Sequence, residues 1–461
     1  MKEILKKEIL EHLITPKILI SLLIVVLISI TGGYLSSKKH IRRIKEYNRV
    51  ITNNENKLKN IHYLDSLIYL RQIVVKKPKQ IEVFVNGAEE KLLNSFSLDF
   101  FRIYFANEAL KRKTKFLKDF LPIDLIFTVV YIISLLVIII TYDSISKEKE
   151  QRTLSMLCSY SINRSSILLA KYLSRMIIIT LILLIGFLSY FIVVYSFGII
   201  EIRIETITKL VLIFILSLFF SSVFLLISIL ISSLTHSSST SITLLILIWI
   251  ILVVVIPSLA KLIGIEMKPI PTIEEKSKEI KTIYTQTFLA APKELKEYID
   301  NPFDPRVTKR NDFIRDIRYN QNLLFDKFIN DMISQGIFIS IISRISFVSI
   351  YRFSVESIAN VGFYDFKYFW KKVKKYHELL KDFIIKIDKK DKNSPHLPYA
   401  CFDYPTVSTQ KIDSSGIPRF YKIGLQRSFR KESLIDIGIL IFLNIVLFQF
   451  TYYLFIRYDV R

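Results

Sequence analysis

Residues 210–234 read LVLIFILSLFFSSVFLLISILISSL and contain no charged residue over 25 positions. A second uncharged run of the same length, MIIITLILLIGFLSYFIVVYSFGII, covers residues 176–200. A helix needs about 20 apolar residues to cross a bilayer, where lipid offers no partner to a free backbone N–H or C=O. Helices of soluble proteins seldom stay uncharged for so long. Both runs therefore predict membrane-spanning helices.

Four further apolar runs extend this pattern along the chain. The six predicted spans are residues 18–35, 125–141, 176–200, 210–234, 242–260 and 437–455, and none holds a charged residue. The first run is longer than the apolar core of a signal peptide and lacks a small-x-small cleavage pattern, so we expect it to stay as an anchor. Residues 332–351 are also apolar but contain Gln335 and Arg344. They predict a core or membrane-surface helix rather than a seventh span.

The composition excludes the main soluble enzyme classes. The 461 residues carry 64 Lys+Arg and 41 Asp+Glu, a formal net charge of +23. Neither G-x-x-x-x-G-K-[ST] nor G-x-G-x-x-G occurs, and the six His lack the H-E-x-x-H spacing. The two cysteines, Cys158 and Cys401, exclude a disulfide scaffold and a Cys-based zinc site. We expect a non-enzymatic membrane protein with no cofactor bound in this chain.

The segments between the spans divide into two sides of a membrane. Six spans place both termini on one side, with residues 1–17, 142–175, 235–240 and 456–461. They leave residues 36–124, 201–209 and 261–436 opposite. The first large insertion predicts a small α+β domain with a helix near 38–70, strands at 72–75 and 81–85, and a turn at Asn86-Gly87. The second predicts a larger, mainly helical domain with helices near 273–284, 292–299, 311–360 and 366–387, then an irregular stretch at 388–422.

The basic excess has two interpretations. Residues 111–113 (KRK) and 371–375 (KKVKK) could contact nucleic acid, but both belong to segments held between spans. Solvated helical faces, or faces that contact anionic lipid headgroups, explain them better, so we expect no nucleic-acid partner. Counting Lys and Arg on the two sides does not decide the orientation.

The segment 142–175 is the only substantial charged loop on the side of the termini besides the N-terminus. It reads YDSISKEKEQRTLSMLCSYSINRSSILLAKYLSR, with Asp143, Glu148 and Glu150 ahead of a possible N-cap at Thr153. Asn163 or Ser165 can cap the helix that leads into the next span. A short helix held rigidly across two spans can pass a push from a soluble partner into the bilayer. An ordinary polar loop is the alternative.

This segment resembles the intracellular coupling region of ABC-type exporter permeases of the type-2 class. That family's pattern is an aspartate, then E-K-E-R-G-T-L, then S-x-P-x-S-R and a later G-K. The matching positions here are Asp143, Glu148, Lys149, Glu150, Thr153, Leu154, Ser159, Arg164 and Lys171. Departures include Gln151 and Arg152 where the family has Arg and Gly, Ser161 for Pro, and Ala170 for Gly.

The resemblance extends to a subgroup with two large extracytoplasmic insertions. Residues 76–95 (KKPKQIEVFVNGAEEKLLNS) are similar to its first insertion, and residues 342–347 (ISRISF) with the aromatic positions from Phe366 to Phe383 are similar to its second. The order of these motifs and their spacing between the six spans agree with the subgroup along nearly the whole chain.

The resemblance implies one half of a translocation pathway. A permease of this class pairs with a second copy or a sister permease in the cytoplasmic (inner) membrane, with both termini cytoplasmic. Separate ATPase subunits bind ATP and Mg²⁺ and dock on the coupling region. The residues that this assigns to docking and coupling are Glu148, Glu150, Arg152, Thr153, Leu154 and Arg164. The helix of residues 1–15 would lie on the cytoplasmic face with one apolar stripe.

Three other functions remain open. An ATPase-linked mechanotransmission or signalling protein would move nothing through its own spans. A membrane-bound enzyme would use the second insertion, where His377, His396, Cys401 and Asp403 lie without a recognised spacing. An ion-coupled carrier is disfavoured because the spans hold no ionisable residue. Asn444 and Gln449 in the last span predict polar contacts between helices rather than a substrate site. The sequence does not indicate the substrate.

Overall fold

A computed structural model describes residues 2–13, 15–87, 92–106, 123–154, 163–400, 404–423 and 431–457. Six of its helices are long and apolar enough to cross a membrane, which confirms a helical polytopic membrane protein. Before and between the first spans lie α1 (Lys2–Leu13), α2 (Pro16–Lys59), α3 (Leu64–Tyr69), α4 (Leu125–Phe127, a π-helical stretch Thr128–Ile133, and Ser134–Thr141) and α5 (Ser146–Glu150).

The second half of the described chain is also helical. It contains α6 (Arg164–Ser196), α7 (Ile204–Leu234), α8 (Ser238–Ile250, a π-helical stretch Ile251–Val255, and Ile256–Met267), α9 (Ile273–Ala290), α10 (Pro305–Ser343), α11 (Phe347–Ala359), α12 (Phe363–Asp388) and α13 (Lys431–Arg457). Pro257 is the second residue of the last part of α8 and lacks a backbone N–H, which accounts for the wider turn before it.

Helix α2 runs without a break from the first span into the following insertion. The sequence predicts a separate helix near 38–70, but the residues at 36–39 contain no helix breaker, so the span continues to Lys59 and α3 follows. Gly32 and Gly33 lie inside this helix because its neighbours approach closely. A Cβ at Gly32 would come 2.7 Å from the backbone oxygen of Ile123, and one at Gly33 would come 3.2 Å from Cβ of Val193.

Three short antiparallel strands form one sheet in the order β1 (Gln72–Val75), β2 (Ser95–Leu98) and β3 (Ile103–Phe105). The registers pair Ile73 with Ser97 and Phe96 with Phe105. The strand predicted at 72–75 is confirmed. The strand predicted at 81–85 is wrong, because Gln80–Val83 forms a 3₁₀ turn. All four residues of 82–85 are buried, so no solvent-facing side is present to favour a half-exposed strand.

The two insertions share one hydrophobic core outside the spans. Phe96 of β2 packs on Trp370 of α12 with 5.0 Å between ring centroids, and Phe105 of β3 lies 4.6 Å from Phe325 of α10. Buried residues from both insertions belong to the same cluster. We call this body the insertion domain. The segment at 292–299 contains only the 3₁₀ turn Lys293–Leu295, and the described part of 388–422 is mainly irregular.

The apolar stretch 332–351 belongs to two helices that enter the bundle of spans. Helix α10 ends at Ser343, and α11 begins at Phe347. The ring of Tyr351 lies 4.4 Å from that of Phe220 on α7, and Ser346 Oγ donates to the oxygen of Leu252 on α8 over 2.9 Å. The predicted core position is therefore confirmed, but a single continuous helix is not.

Candidate functional site

The segment 142–154 follows α4, the second span, and is fixed to the start of α2. Lys17 Nζ lies 2.9 Å from Asp143 Oδ2 and donates to the hydroxyl of Tyr142 over 3.2 Å. The ammonium group also lies 4.5 Å from the centroid of the Tyr142 ring. These contacts join the end of the second span to the beginning of the first. We call this end of the bundle the α1 end.

Helix α5 lies against the connection between α7 and α8. Lys149 Nζ donates to the backbone oxygens of Ser233 and Thr235, the latter over 3.3 Å. Glu150 Oε2 accepts from the backbone N–H of Ser238 over 3.3 Å. The lysine therefore meets the negative end of the α7 dipole and the glutamate meets the positive end of α8. Adjacent residues of opposite charge hold α5 on two spans at once.

Two serines reinforce this attachment. Ser232 Oγ on α7 accepts hydrogen bonds from the backbone N–H groups of Ile145 and Ser146, each over 2.9 Å. Ser241 Oγ on α8 donates to the backbone oxygen of Tyr142 over 2.7 Å. The first turn of a helix has N–H groups without intrahelical partners. Ser232 supplies this partner at the start of α5, because the N-cap residue of α5 is an isoleucine, whose side chain cannot accept a hydrogen bond.

An ion cluster joins α5 to α1 and α6. It consists of Glu8, Glu148, Lys171 and Arg175. Lys171 Nζ lies 2.5 Å from Glu148 Oε1 and 3.1 Å from Glu8 Oε1, while Arg175 Nη1 lies 3.2 Å from Glu8 Oε2. The two cations expose only 2% and 3% of their side chains. Each buried cation thus meets a carboxylate, as its desolvation requires.

The chain leaves α5 through a left-handed residue. Arg152 has φ of 56°, and its backbone N–H bonds to the oxygen of Lys149 over 3.1 Å. Glycine is the residue that adopts this conformation with least strain. The family pattern has glycine at this position, so the backbone geometry that glycine favours is present here although the side chain is arginine.

The six residues assigned to docking and coupling differ in accessibility. Glu150 and Arg152 are exposed, Thr153 and Glu148 are half-buried, and Leu154 is buried. Arg164 Nη1 donates to the backbone oxygen of Ile456 over 2.8 Å and so contacts the end of α13. Glu150 and Arg152 reach the surface of the segment, while Glu148 and Leu154 face inward. Docking itself stays a prediction.

The helix caps predicted from the sequence agree with the structure only in part. Asn163 occupies the N-cap of α6, but its side chain makes no capping hydrogen bond. Ser165 lies inside the helix. Thr153 Oγ1 donates back to the oxygen of Glu148 over 3.3 Å. Residues 155–162, which hold Leu157 of the short helix predicted after Thr153 and also Cys158, Ser159 and Ser161, lie outside the described residues.

Sequence reasoning missed the inward-facing partners of α5. Lys171 and Arg175 are four residues apart at the beginning of the third span, and Glu8 lies on the terminal helix. The spacing of the two cations indicates one helix face. Nothing in the sequence identifies which carboxylates meet that face, because Glu8, Glu148 and Lys171 are far apart along the chain.

Of the residues considered for an enzyme site, the two that the structure describes, His377 and His396, lie in different environments. His377 is buried in the insertion domain, and His396 Nδ1 pairs with Asp388 Oδ2 over 2.8 Å, while Cys401 and Asp403 lie outside the described residues. Within the described ranges no three His, Cys, Asp or Glu side chains gather as metal ligands.

In the last span, Asn444 Nδ2 donates to the oxygen of Phe219 on α7 over 3.1 Å, the predicted contact between helices, whereas Gln449 is exposed.

Comparison with known families gives one match that covers nearly the whole chain. The model described as ABC-2 family transporter protein matches residues 3–460. The match spans all six membrane helices, the insertion domain and the segment 142–154. A search of curated proteins gives no match.

Proposed function

Since the chain belongs to the ABC-2 transporter family, we propose that it is the permease subunit of an ATP-driven exporter. A separate ATPase subunit would bind ATP and Mg²⁺, hydrolyse the nucleotide and dock at the α1 end. Docking there would move α5, and the attached spans would open and close a pathway shared with a second copy or a sister permease.

The attachment of α5 to three spans is the observation that supports this proposal. Through Lys149 and Glu150 the helix is bound to α7 and α8, and through Glu148 it is bound to α6. A helix of five residues held by charged contacts on two sides moves as a unit with its neighbours. A push on α5 would therefore reach the interior of the bundle without deforming the short helix.

Glu150 and Arg152 supply the exposed surface on which a partner would dock. Both side chains are exposed, and neither carries the contact between α5 and α6. Glu148 would act one step further inward, by passing the movement to Lys171. Arg152 would thereby serve docking and Glu148 transmission, while Glu150, which also contacts the start of α8, would serve both.

Association with an ATPase tests the assignment. We expect a tagged Glu150→Lys/Arg152→Glu variant to lose a Walker-motif ATPase that co-purifies with the unaltered protein from native membranes. Glu148→Gln should retain the ATPase but lose transport-coupled stimulation of hydrolysis. Lys278→Glu, an exposed change on α9 in the insertion domain, is the matched control. Normal co-purification of the Glu150/Arg152 variant would contradict the docking surface.

We further propose that the protein lies in the cytoplasmic (inner) membrane with both termini in the cytoplasm. Glu8 of α1 and Ile456 of α13 contact the same α6 helix region, at Lys171 and Arg164 respectively, so both ends of the described chain are at the α1 end. An impermeant thiol reagent on intact cells should then label Cys401 and not Cys158. Labelling of Cys158 alone would indicate the opposite orientation.

One observation favours mechanotransmission as the second candidate function. Helix α2 contacts Asp143 through Lys17 at one end, and at the other its Glu55 pairs with Arg419 of the insertion domain over 3.2 Å. A continuous helix thus connects the α1 end to a large body beyond the spans. Substrate uptake by reconstituted vesicles with the ATPase supports export, while ATP-dependent change in the insertion domain without uptake supports mechanotransmission.

A further inference from the structure

The three-stranded sheet of the insertion domain has two different faces. Val74, Phe96 and Leu98 point into the hydrophobic core. Successive side chains of a strand point to opposite faces, so Val75, Ser95 and Ser97 point the other way. This face therefore carries both apolar and polar side chains, and it forms one wall of a cavity, the chamber.

The chamber is a cavity of about 480 Å³ between this face and helix α2. Tyr47 and Val50 of α2 form an apolar part of its lining, with Ile73 and Val75 of β1 opposite. Asn54 of α2 joins the two elements, because its Nδ2 donates to the oxygen of Ile73 over 2.5 Å. The volume lies within the range of small-molecule sites, roughly 300–1,000 Å³.

Cations dominate the charge of the lining. Arg43, Lys57, Arg71, Lys76 and Lys77 line the cavity, against the carboxylates of Glu46 and Glu82. Arg43 Nη1 lies 3.8 Å from Glu82 Oε2, Lys76 pairs with Asp365 over 2.5 Å, and the Arg71 guanidinium lies 4.3 Å from the centroid of the Tyr104 ring. For Lys57 and Lys77 the described part of the chain shows no ion pair.

Buried polar atoms on the sheet wall also lack partners. Ser97 is 6% exposed and lines the cavity, and its Oγ has no hydrogen-bond partner among the described residues. The same holds for Oδ1 of Asn94, which lines the cavity beside it. A buried polar group without a hydrogen bond is costly and calls for an explanation. A polar ligand in the chamber would supply the missing bond to the Ser97 hydroxyl.

We propose that this cavity is a binding site for a small organic anion that carries an apolar group. The anionic oxygens would meet Arg43 and Lys57 and accept from the Ser97 hydroxyl, and the apolar group would lie against Tyr47 and Val50. Carboxylates and phosphate esters share this chemistry. The site does not depend on transport through the spans, and the proposed exporter function could fail without affecting it.

Calorimetric titration of the full-length protein in zwitterionic lipid nanodiscs tests the site with phenyl phosphate as the probe. We expect saturable binding that is about tenfold tighter than that of inorganic phosphate, which lacks the ring, with no binding of benzyl alcohol, which lacks the charge. Lys57→Gln and Arg43→Gln should each weaken binding about fivefold. Lys59→Gln and Lys45→Gln, on the same helix but not in the lining, are the matched controls and should leave it unchanged.

A cavity-filling variant provides a second measurement. Ser97→Leu should abolish phenyl phosphate binding while the protein keeps its unfolding temperature within the range of the control variants. Competition by anionic lipid added to the nanodiscs would identify a headgroup as the anion, and absence of competition would identify a soluble anion. Absence of saturable binding, or binding that Lys57→Gln and Ser97→Leu both leave unchanged, would overturn the proposal.

Discussion

Lys171 on α6 and Glu148 on α5 form an ion pair with 2.5 Å between Nζ and Oε1, although 23 positions separate them in sequence. Lys171 is buried, and it also meets Glu8 of α1. One ammonium group therefore connects the terminal helix, the short helix α5 and a membrane span. The resemblance to the family pattern identifies Glu148 and Lys171 as matching positions but does not show that they are partners.

Glu148→Gln should lower the free energy of unfolding by about 2 kcal/mol, because it leaves the buried Lys171 with one carboxylate instead of two. Glu150→Gln is the matched control, two positions away on an exposed face, and should change stability by less than about 0.5 kcal/mol. Denaturant unfolding in detergent micelles measures both. Equal losses for the two variants would show that the pair with Lys171 contributes nothing specific.

Ser232→Ala should cost about 2 kcal/mol, because it leaves the backbone N–H groups of Ile145 and Ser146 buried without an acceptor. Ser228→Ala is the control one turn earlier on α7. Ser228 is equally buried, and its Oγ has no partner among the described residues. Its removal should be neutral or slightly stabilising. If Ser228→Ala is as harmful as Ser232→Ala, the loss reflects packing rather than hydrogen bonding.

Arg152→Gly should stabilise the isolated permease by about 1 kcal/mol, because glycine adopts the left-handed backbone at φ of 56° without strain from a Cβ atom. Gln151→Gly should instead destabilise it by a similar amount. Gln151 has φ of −86°, so its backbone is not strained, and glycine there only loses more conformational entropy on folding. Thermal unfolding of the two variants distinguishes these effects. A gain for both substitutions would contradict the role of the left-handed turn.

Acid should destabilise the insertion domain through His377. Burial, together with Lys381, lowers the pKa of its imidazole to about 3. Because this value lies below the unfolded value of about 6.5, the neutral ring stabilises the fold fully above that pH and the contribution falls as the pH drops toward 3. We expect a loss of about 2 kcal/mol between pH 7 and pH 5.

His377→Phe should remove that part of the acid sensitivity, as measured by unfolding at a series of pH values. His396→Gln is the control, because its ring is 42% exposed, and it should retain the acid sensitivity. An unchanged pH profile in His377→Phe would contradict the assignment.

The membrane helices could be predicted from sequence because each apolar run is a local property. Helix α11 could not be placed as easily, since Arg344 within the preceding stretch indicates exposure. In the structure Arg344 pairs with Asp436 of α13, with Nε–Oδ1 and Nη2–Oδ2 distances of 2.8 and 2.9 Å. The pair compensates the charge at the break before α11. That compensation depends on a residue far along the chain and is not visible locally.

The candidate site likewise has features that follow from the local sequence and features that depend on distant residues. The exposure of Glu150 and Arg152 agrees with the charge pattern of 142–154. Helix α5 at Ser146–Glu150 was not predicted, because the sequence indicates a short helix only after Thr153. The contact of Lys149 with the end of α7 depends on which helix end folds beneath it, so the sequence of α5 alone could not predict it. The strand predicted at 81–85 failed for a related reason: burial on both sides there comes from neighbouring elements.

The bond between Asn54 and Ile73 has a consequence for how this protein behaves at high density in a membrane. Strand β1 lies at an edge of the described sheet, and an unpaired edge is a template on which another polypeptide can add a strand. Asn54 occupies both backbone groups of Ile73, with its Oδ1 accepting from the N–H over 3.4 Å and its Nδ2 donating to the carbonyl. A single amide thereby hinders a neighbouring copy from adding a strand to the β1 edge at Ile73.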